Sequence, residues 1–256
     1  MAFNGHFLTI VKTYIDLINS RNEPMHPTRA LFSVGFPDII SKQGSLDCHL
    51  EQNLKPFETH SPETLRWHGL PDDNLYTTFS MPKFCASEGW DFQYLDIAPG
   101  TGDNSSSFHQ LDLNHDLDPS LYSSCDILID SGTAEHCFNI GKVFENYFHI
   151  LRPGGFVLQY IPFLSPNHGF WSANPTVFYD LASCNPIKVF LCEMQSFASY
   201  RDYFSGNYHR ISFSPVNRFV LPSDLSLDLT VLIFAVYKKY KKSPFKYPMQ
   251  AKYRSQ

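Results

Sequence analysis

The sequence predicts an α/β fold, a parallel or mixed sheet with helices on both faces. Three observations carry that expectation. Apolar strand-like runs alternate with stretches of helical period along most of the chain. The length, 256 residues, suits one large α/β domain. Hydrophobic residues make up 43% and charged residues 18%, which builds a sizeable core and does not match a disordered chain.

The elements follow in order. Phe7, Leu8, Val11, Tyr14, Ile15 and Ile18 share one helical face, so residues 1–27 read as an amphipathic helix on the body, ended by Pro24 and Pro27. Ala30 to Val34 is a short apolar strand that stops at Gly35-Phe36-Pro37-Asp38. Residues 43–88 are irregular and carry several prolines, and they read as short helices that cover a site. Three strands come next: Phe92 to Ile97 with Asp96 near its end, Phe108 to Leu113 with Asp112, and Cys125 to Ile129 leading into Asp130. Ile140 to Leu151 is helical, with Val143, Phe144, Tyr147, Phe148 and Leu151 on one face. Pro153-Gly154-Gly155 breaks that helix before a strand from Phe156 to Ile161. A helix over Thr176 to Ser183 and two last strands, Lys188 to Cys192 and Leu229 to Tyr237, complete the order.

Charge and cysteine usage narrow the function classes. The net charge is −5, but the seven basic residues after Asp228 leave 13 basic against 25 acidic residues, a net of −12, on the rest. An acidic body argues against a general nucleic-acid binder. The basic tail, 238–256, is either a solvated strand end or a contact for an anionic substrate, a lipid surface or a second acidic subunit, as in a homodimer. The six cysteines form no Cys-x-x-Cys pair and read as free, mostly buried thiols in a reducing compartment, so the expected location is cytoplasmic and no metal site is expected. The longest uncharged apolar run, Leu229 to Tyr237, is far short of the roughly 20 residues that span a bilayer. Lys12 and Asp16 interrupt the apolar positions of the N-terminus, so no secretory signal pattern is expected there. Aromatic residues reach 16%, which suits an aromatic-lined pocket and equally a Phe-rich core.

The stretch from Cys125 to Pro162 carries the most functional information. It runs Cys125-Asp126-Ile127-Leu128-Ile129-Asp130-Ser131-Gly132-Thr133-Ala134-Glu135-His136-Cys137-Phe138-Asn139, then a helix, then Leu151-Arg152-Pro153-Gly154-Gly155-Phe156. This resembles the second half of a class I S-adenosylmethionine-dependent methyltransferase, in which an acid-ended fourth strand precedes a substrate-side loop, a helix, a Leu-(Lys/Arg)-Pro-Gly-Gly turn and the fifth strand. Downstream, Asn167-His168-Gly169-Phe170-Trp171 and Asn174-Pro175-Thr176-Val177-Phe178-Tyr179-Asp180 resemble a segment of bacterial members from surface-polysaccharide biosynthesis clusters, and Tyr247-Pro248-Met249-Gln250 is similar to their ending. The likeness covers most of residues 30 to 250. It implies a Rossmann-like, seven-stranded, mostly parallel sheet with helices on both faces and an antiparallel last strand, in one methyltransferase-like domain over 1–256.

The register needs a decision. Leu95-Asp96-Ile97-Ala98-Pro99-Gly100-Thr101-Gly102 looks like the family's first-strand glycine motif. Only about 30 residues separate Leu95 from Cys125, too few for the two further strand–helix units that must lie between strands one and four. Ala30 to Val34 is therefore strand one, Phe92 to Ile97 strand two, Phe108 to Leu113 strand three and Cys125 to Ile129 strand four, with residues 43–88 as an insert between the first two.

In this register the resemblance implies roles. Gly35 lets the backbone approach S-adenosyl-L-methionine, and Asp38 meets its methionine ammonium or caps a helix. Asp96 and Ile97 fall where the family holds the ribose hydroxyls, and Asp112 and Leu113 where it contacts adenine, although Asp112 also reads as a turn cap. Asp130, Ser131 and Gly132 lie at the carboxyl end of a strand, where open α/β sheets bind ligands. Glu135 follows on the substrate side. His136 and His168, at adjacent strand ends, are candidates to take a proton from the acceptor, because an unperturbed histidine titrates near about 6.5. Phe163, Phe170 and Trp171 suit a sugar face or the sulfonium, and Tyr179 either contacts substrate or begins a packed helix. The implied activity is methyl transfer to an oxygen of a sugar, a glycan precursor or a small hydroxylated metabolite, so the expected partner is a small-molecule or glycan acceptor. The alternative is a methyltransferase-like binding or scaffold protein whose cofactor loop has degenerated to one glycine where many members have three. A nicotinamide-dependent oxidoreductase shares the sheet but would need Gly-x-Gly-x-x-Gly after strand one.

Overall fold

A computed structural model describes residues 2–21, 28–99, 107–215 and 229–253. The chain runs β1 (Phe3–Asn4), α1 (His6–Asn19), β2 (Ala30–Val34), β3 (Ile39–Lys42), α2 (Cys48–Leu54), β4 (Glu58–Thr59), α3 (Pro62–Trp67), β5 (Tyr76–Phe79), α4 (Met81–Ser87), β6 (Asp91–Asp96) and β7 (Phe108–Gln110). It continues through β8 (Cys125–Asp130), α5 (Ile140–Ile150), β9 (Leu151–Leu164), α6 (Thr176–Cys184), β10 (Ile187–Phe197), α7 (Tyr200–Phe204), β11 (His209–Ser212) and β12 (Thr230–Lys239).

The central sheet has the order β11-β10-β12-β9-β8-β2-β6-β7. Strands β7, β6, β2, β8 and β9 are parallel neighbours, and β12 lies antiparallel between β9 and β10. The expected antiparallel last strand is therefore present, but the sheet has eight strands where seven were expected. The extra strand, β11, forms an antiparallel edge hairpin with β10. Three of its four residues, His209, Arg210 and Ser212, are exposed, so it has no apolar alternation to betray it.

Opposite faces of the strands feed two apolar layers, because successive side chains alternate across a sheet. On one face Leu31, Phe92, Tyr94, Ile127, Ile129, Phe156, Leu158 and Phe234 pack with α1, α4 and α7. On the other, Phe32, Val34, Leu95, Leu128, Val157, Ile161 and Ile233 pack with α5 and α6. Helix α1 buries Phe7, Leu8, Val11, Ile15 and Ile18, the face its periodicity predicts. It ends at Asn19, and Pro24 and Pro27 lie outside the described residues, as do Gly100, Thr101 and Gly102.

Between β2 and β6 the chain builds more than short helices. β3, β5 and β4 join β1 in a second, four-stranded sheet of order β1-β3-β5-β4. The Pro153-Gly154-Gly155 segment also differs from expectation. Helix α5 stops at Ile150, and β9 begins at once at Leu151 and carries the three residues across a register irregularity opposite β8.

At the amino ends of the parallel strands, Asp126 holds three partners. It accepts from the Ala30 amide at 3.0 Å and pairs with Arg152 and, at 3.5 Å, with Arg29. The C-terminal segment is not a free solvated arm. Lys246 and Asn185 exchange hydrogen bonds of 2.8 Å, Tyr247 donates to Glu145 at 2.6 Å, and the Ala251 amide donates to Asp180 at 3.0 Å. Lys239, 2% exposed, donates to the Phe148 and Leu151 carbonyls at the end of α5. Four of the six free cysteines are buried, and among the described residues no helix is long and apolar enough to cross a membrane.

Asp126→Ala strands two partly buried guanidinium groups and one amide. Urea unfolding is expected to show a loss of about 3–5 kcal/mol. A loss below about 1 kcal/mol, as for a surface pair, would show that the three groups find other partners.

Candidate functional site

The carboxyl ends of β2, β6, β8 and β9 face one edge of the sheet. Between β2 and β8 the chain reverses its direction of travel across the sheet, which opens a crevice where such folds take ligands. Four side chains or turns project there.

Asp130, at the end of β8, is completely buried. Its Oδ1 accepts from the Gly132 amide at 2.9 Å and the Thr133 amide at 2.7 Å. Its Oδ2 accepts from the Tyr147 hydroxyl at 2.9 Å and the Gln159 amide nitrogen at 3.1 Å. Burial, and then the charge of Glu135, push its carboxyl above the usual range, and the bonds from Thr133, Tyr147 and Gly132 oppose that rise. With both oxygens engaged, the Asp130 side chain positions the loop rather than offering itself to a ligand. Ser131 is buried beside it, and Gly132 turns the chain with φ +103°.

The turn so held delivers Glu135. This side chain is 0% exposed, and its Oε1 lies 3.2 Å from His168 Nε2 and 4.0 Å from His136 Nε2. Its Oε2 is buried with no hydrogen-bond partner among the described residues. The two imidazole rings meet edge to face, with centroids 5.0 Å apart. Burial lowers the pKa of His136 below the usual histidine value, with Glu135 raising it and His168 lowering it further. The Tyr200 hydroxyl is also buried with no hydrogen-bond partner among the described residues, and burial followed by the Glu135 charge pushes its pKa up to about 12.

Gly169 makes this packing possible. Its φ is +70°, and a Cβ there would fall 2.7 Å from Glu135 Cγ. The Phe170 amide donates to the Glu135 carbonyl at 2.7 Å, which ties the β9 loop to the β8 loop. Phe170 and Trp171 stand beside Phe138 at ring distances of 5.9 and 6.2 Å, forming an exposed aromatic rim next to the histidines. Phe138 carried no sequence signal beyond its place after Glu135-His136-Cys137.

The β2 and β6 ends form the second half of the site. Gly35 has φ +74°, and a Cβ there would sit 3.0 Å from Thr133 Oγ1 and 3.8 Å from Asp96 Oδ2. Thr133 donates to the Val34 carbonyl at 3.1 Å, so it bridges β8 and β2. Asp96 uses Oδ1 for the Ile97 amide at 2.6 Å, and Oδ2 makes no hydrogen bond to a described residue. Ile97 is 67% exposed at the same edge. Asp38 and Asp96 line one cleft of about 830 Å³, roofed by Thr64, Arg66 and Trp67 of the inserted segment. That volume falls within the roughly 300–1,000 Å³ of small-molecule sites. Asp38 is engaged by His68 at 2.9 Å, a contact across the insert.

Other expected site residues fall elsewhere. Asp112 accepts from the amide and side chain of Asn114 at 2.9 and 2.8 Å, and these bonds hold its carboxyl below the usual range. It caps a turn, because β7 ends at Gln110 rather than at Leu113. Leu113 is 5% exposed in the α5 layer. Phe163 packs on that same layer. Tyr179 donates to the Phe213 carbonyl at 3.2 Å and its ring lies tilted against that of Phe213 at 5.9 Å, so α6 turns it into packing rather than toward the histidines. Sequence reasoning missed Thr133, Tyr147 and Gln159. Gln159 alone had a signal, a polar residue inside the apolar run of β9.

No family description matches the chain, and no curated protein matches it. Solved structures share its trace at low similarity. A TehB-like S-adenosylmethionine-dependent methyltransferase from Corynebacterium glutamicum is 13% identical, over 88% of this chain and 86% of that one, with a TM-score of 0.40. A 16S rRNA (adenine(1408)-N(1))-methyltransferase from Catenulisporales acidiphilia is 11% identical, over 91% and 94%, with a TM-score of 0.41. Phosphoethanolamine N-methyltransferase 2 of Haemonchus contortus, solved with S-adenosyl-L-methionine, is 10% identical, over 90% of this chain and 53% of that one, with a TM-score of 0.41. Scores this low carry no functional weight; strand order and site residues do.

Gly169→Ala and Gly44→Ala separate backbone strain from the Glu135 contact. Both glycines have positive φ, but a Cβ at Gly44 meets nothing within 4 Å. Gly169→Ala is expected to lower unfolding free energy by about 1–3 kcal/mol more than Gly44→Ala, because it overpacks Glu135. Equal losses would show that the β9 loop yields without cost.

Proposed function

We propose that the protein is an S-adenosyl-L-methionine-dependent methyltransferase that methylates an oxygen of a sugar, a glycan precursor or a small hydroxylated metabolite. The observation that carries this reading is that Gly35 and Asp96, at the ends of β2 and β6, and the Glu135–His136–His168 cluster, after β8 and β9, lie along one carboxyl edge of the sheet, with Thr133 bridging β8 to β2. One half fits a nucleoside and the other fits a hydroxyl acceptor. The Cys125 to Phe156 signature, with its Pro-Gly-Gly segment in the first part of β9, supports the same reading.

The residues present fit the cofactor. Asp96 Oδ2 makes no hydrogen bond to a described residue and lies toward Gly35, so it is placed to accept from ribose hydroxyls. Gly35 carries no side chain toward the crevice, and a sulfonium nucleoside without phosphates needs no further glycines. Exposed Ile97 offers an apolar surface beside the ribose. Asp38 lines the cleft with its Oδ2 taken by His68. When bound, the cofactor supplies an electrophilic methyl group.

The chain's own work is alignment and proton handling. An acceptor oxygen must lie in line with the methyl at roughly 3 Å, with water excluded. Phe138, Phe170 and Trp171 form the rim against which a sugar face would stack. His168, its Nε2 held by Glu135, takes the hydroxyl proton as the oxygen–carbon bond forms, and His136 lines the same space. We propose a cytoplasmic location from the free, mostly buried thiols.

Calorimetric titration with S-adenosylhomocysteine is expected to show one site of micromolar affinity. Asp96→Ala should weaken it about 10–100-fold, the value of a charged hydrogen-bond acceptor. Absence of binding at millimolar ligand would reject the cofactor assignment. With a sugar acceptor in hand, His168→Ala should lower kcat while S-adenosylhomocysteine affinity holds; unchanged kcat would remove His168 from catalysis.

A further inference from the structure

Methyl transfer from a sulfonium needs only an aligned acceptor and an exit for one proton. The Glu135 cluster holds more than that. Two imidazoles and one carboxylate each point a ligand atom into a common space, all within 4.8 Å of one another. We propose that Glu135, His136 and His168 bind one divalent first-row transition ion of the zinc type, with coordination positions left open on the acceptor side.

The donor set selects that class of ion. Two histidine nitrogens with one carboxylate oxygen suit zinc and its first-row neighbours, whereas magnesium and calcium favour all-oxygen shells. Three protein ligands with a vacant position is the pattern of catalytic rather than structural ions. The spacing agrees. Ligand bonds of about 2.0–2.2 Å hold neighbouring donor atoms roughly 3 Å apart. Glu135 Oε1 and His168 Nε2 already stand at 3.2 Å. His136 Nε2, at 4.0 Å, has about one ångström to close, and its side chain is 49% exposed.

A second, independent observation is the state of Glu135. Its side chain is 0% exposed, and Oε2 has no hydrogen-bond partner among the described residues. A buried carboxylate so under-bonded is costly unless charge or donors compensate it. No lysine or arginine pairs with it among the described residues; both of its ion-pair contacts are to imidazoles. A divalent ion between the three groups supplies the missing charge. The scaffold is also stiff: Asp130 clamps the loop before Glu135, and the Phe170 amide clamps the loop that carries His168.

The existence of this site is independent of the methyltransferase reading; its place in the reaction rests on it. In the ion-loaded protein the acceptor hydroxyl occupies an open position and its proton passes to solvent, because coordination lowers its pKa. The oxygen then forms its bond to the methyl carbon as the carbon–sulfur bond breaks and leaves its electron pair on sulfur. His168 is there a ligand rather than the proton acceptor.

The test uses tag-free protein stripped with EDTA and titrated with Co²⁺, followed by the visible ligand-field spectrum, and then with Zn²⁺ by calorimetry. One equivalent of Co²⁺ is expected, displaced by Zn²⁺ and not by Mg²⁺. His136→Ala and His168→Ala should each weaken binding by at least the roughly 10–100-fold seen when even a supporting partner is lost. Circular dichroism of each variant establishes that it is folded. A folded wild type without a stoichiometric Co²⁺ spectrum, or a spectrum unchanged by His168→Ala, overturns the site. S-adenosylhomocysteine titration of the same samples keeps the two readings apart. Co²⁺ binding without nucleoside binding retains the ion site and removes the methyltransferase, and nucleoside binding without Co²⁺ does the reverse.

Discussion

Four donors on one buried carboxylate organise the functional edge of this protein. Asp130 gathers the turn amides of Gly132 and Thr133, the hydroxyl of Tyr147 on α5 and the amide of Gln159 on β9. A buried carboxylate persists only with such compensation, so each donor is held as firmly as the charge needs it. The strand end, the following helix, the next strand and the loop between them therefore share one anchor. Everything placed by that loop, including Thr133 against β2 and Glu135 beneath the histidines, inherits its position from Asp130.

Glu135 shows the opposite design. Its carboxylate is equally buried, yet one oxygen meets only imidazoles and the other meets nothing described. The two acids sit five residues apart and differ in role because their donors differ. The satisfied one fixes geometry, and the unsatisfied one stores a demand for positive charge at the crevice. Burial keeps His136 toward its neutral form, in which a ring nitrogen can receive a proton or an ion.

The opposite side of the crevice is shaped by what the chain inserts after β2. A small mixed sheet and short helices fill the interval to β6, and Arg66 and Trp67 of that insert roof the cleft containing Asp38 and Asp96. Gly35 is the one glycine at the turn itself, and its need is local. Thr133 approaches from β8, and a Cβ at residue 35 would meet it at 3.0 Å.

The sequence by itself determined the order and direction of the parallel strands. Apolar runs and the spacing from Leu95 to Cys125 favour Phe92 to Ile97 as strand two over strand one, and β6 indeed pairs between β2 and β7 while β8 pairs on the other side of β2. It also brought His136 and His168 to adjacent strand ends, since loop positions after parallel strands fall on one edge. Amphipathic periodicity was enough for α1 and α5, because burial of one face is a local pattern. β11 was not legible, being a largely polar edge strand with one apolar residue, Ile211, and pairing to β10 that no local pattern reveals. The small sheet was not, because β1 and β4 have two residues each and are strands only by virtue of their neighbours. The roles of carboxylates were decided by tertiary structure. Asp96, Asp112, Asp130 and Glu135 are alike as acids at or after strand ends, and only their partners distinguish an oxygen with no described partner, a turn cap, a loop anchor and a buried carboxylate that meets only imidazoles. Ile97 and Asn114 are local partners of Asp96 and Asp112, but Tyr147 and Gln159 reach Asp130, and His168 reaches Glu135, from distant parts of the chain that no local pattern encodes.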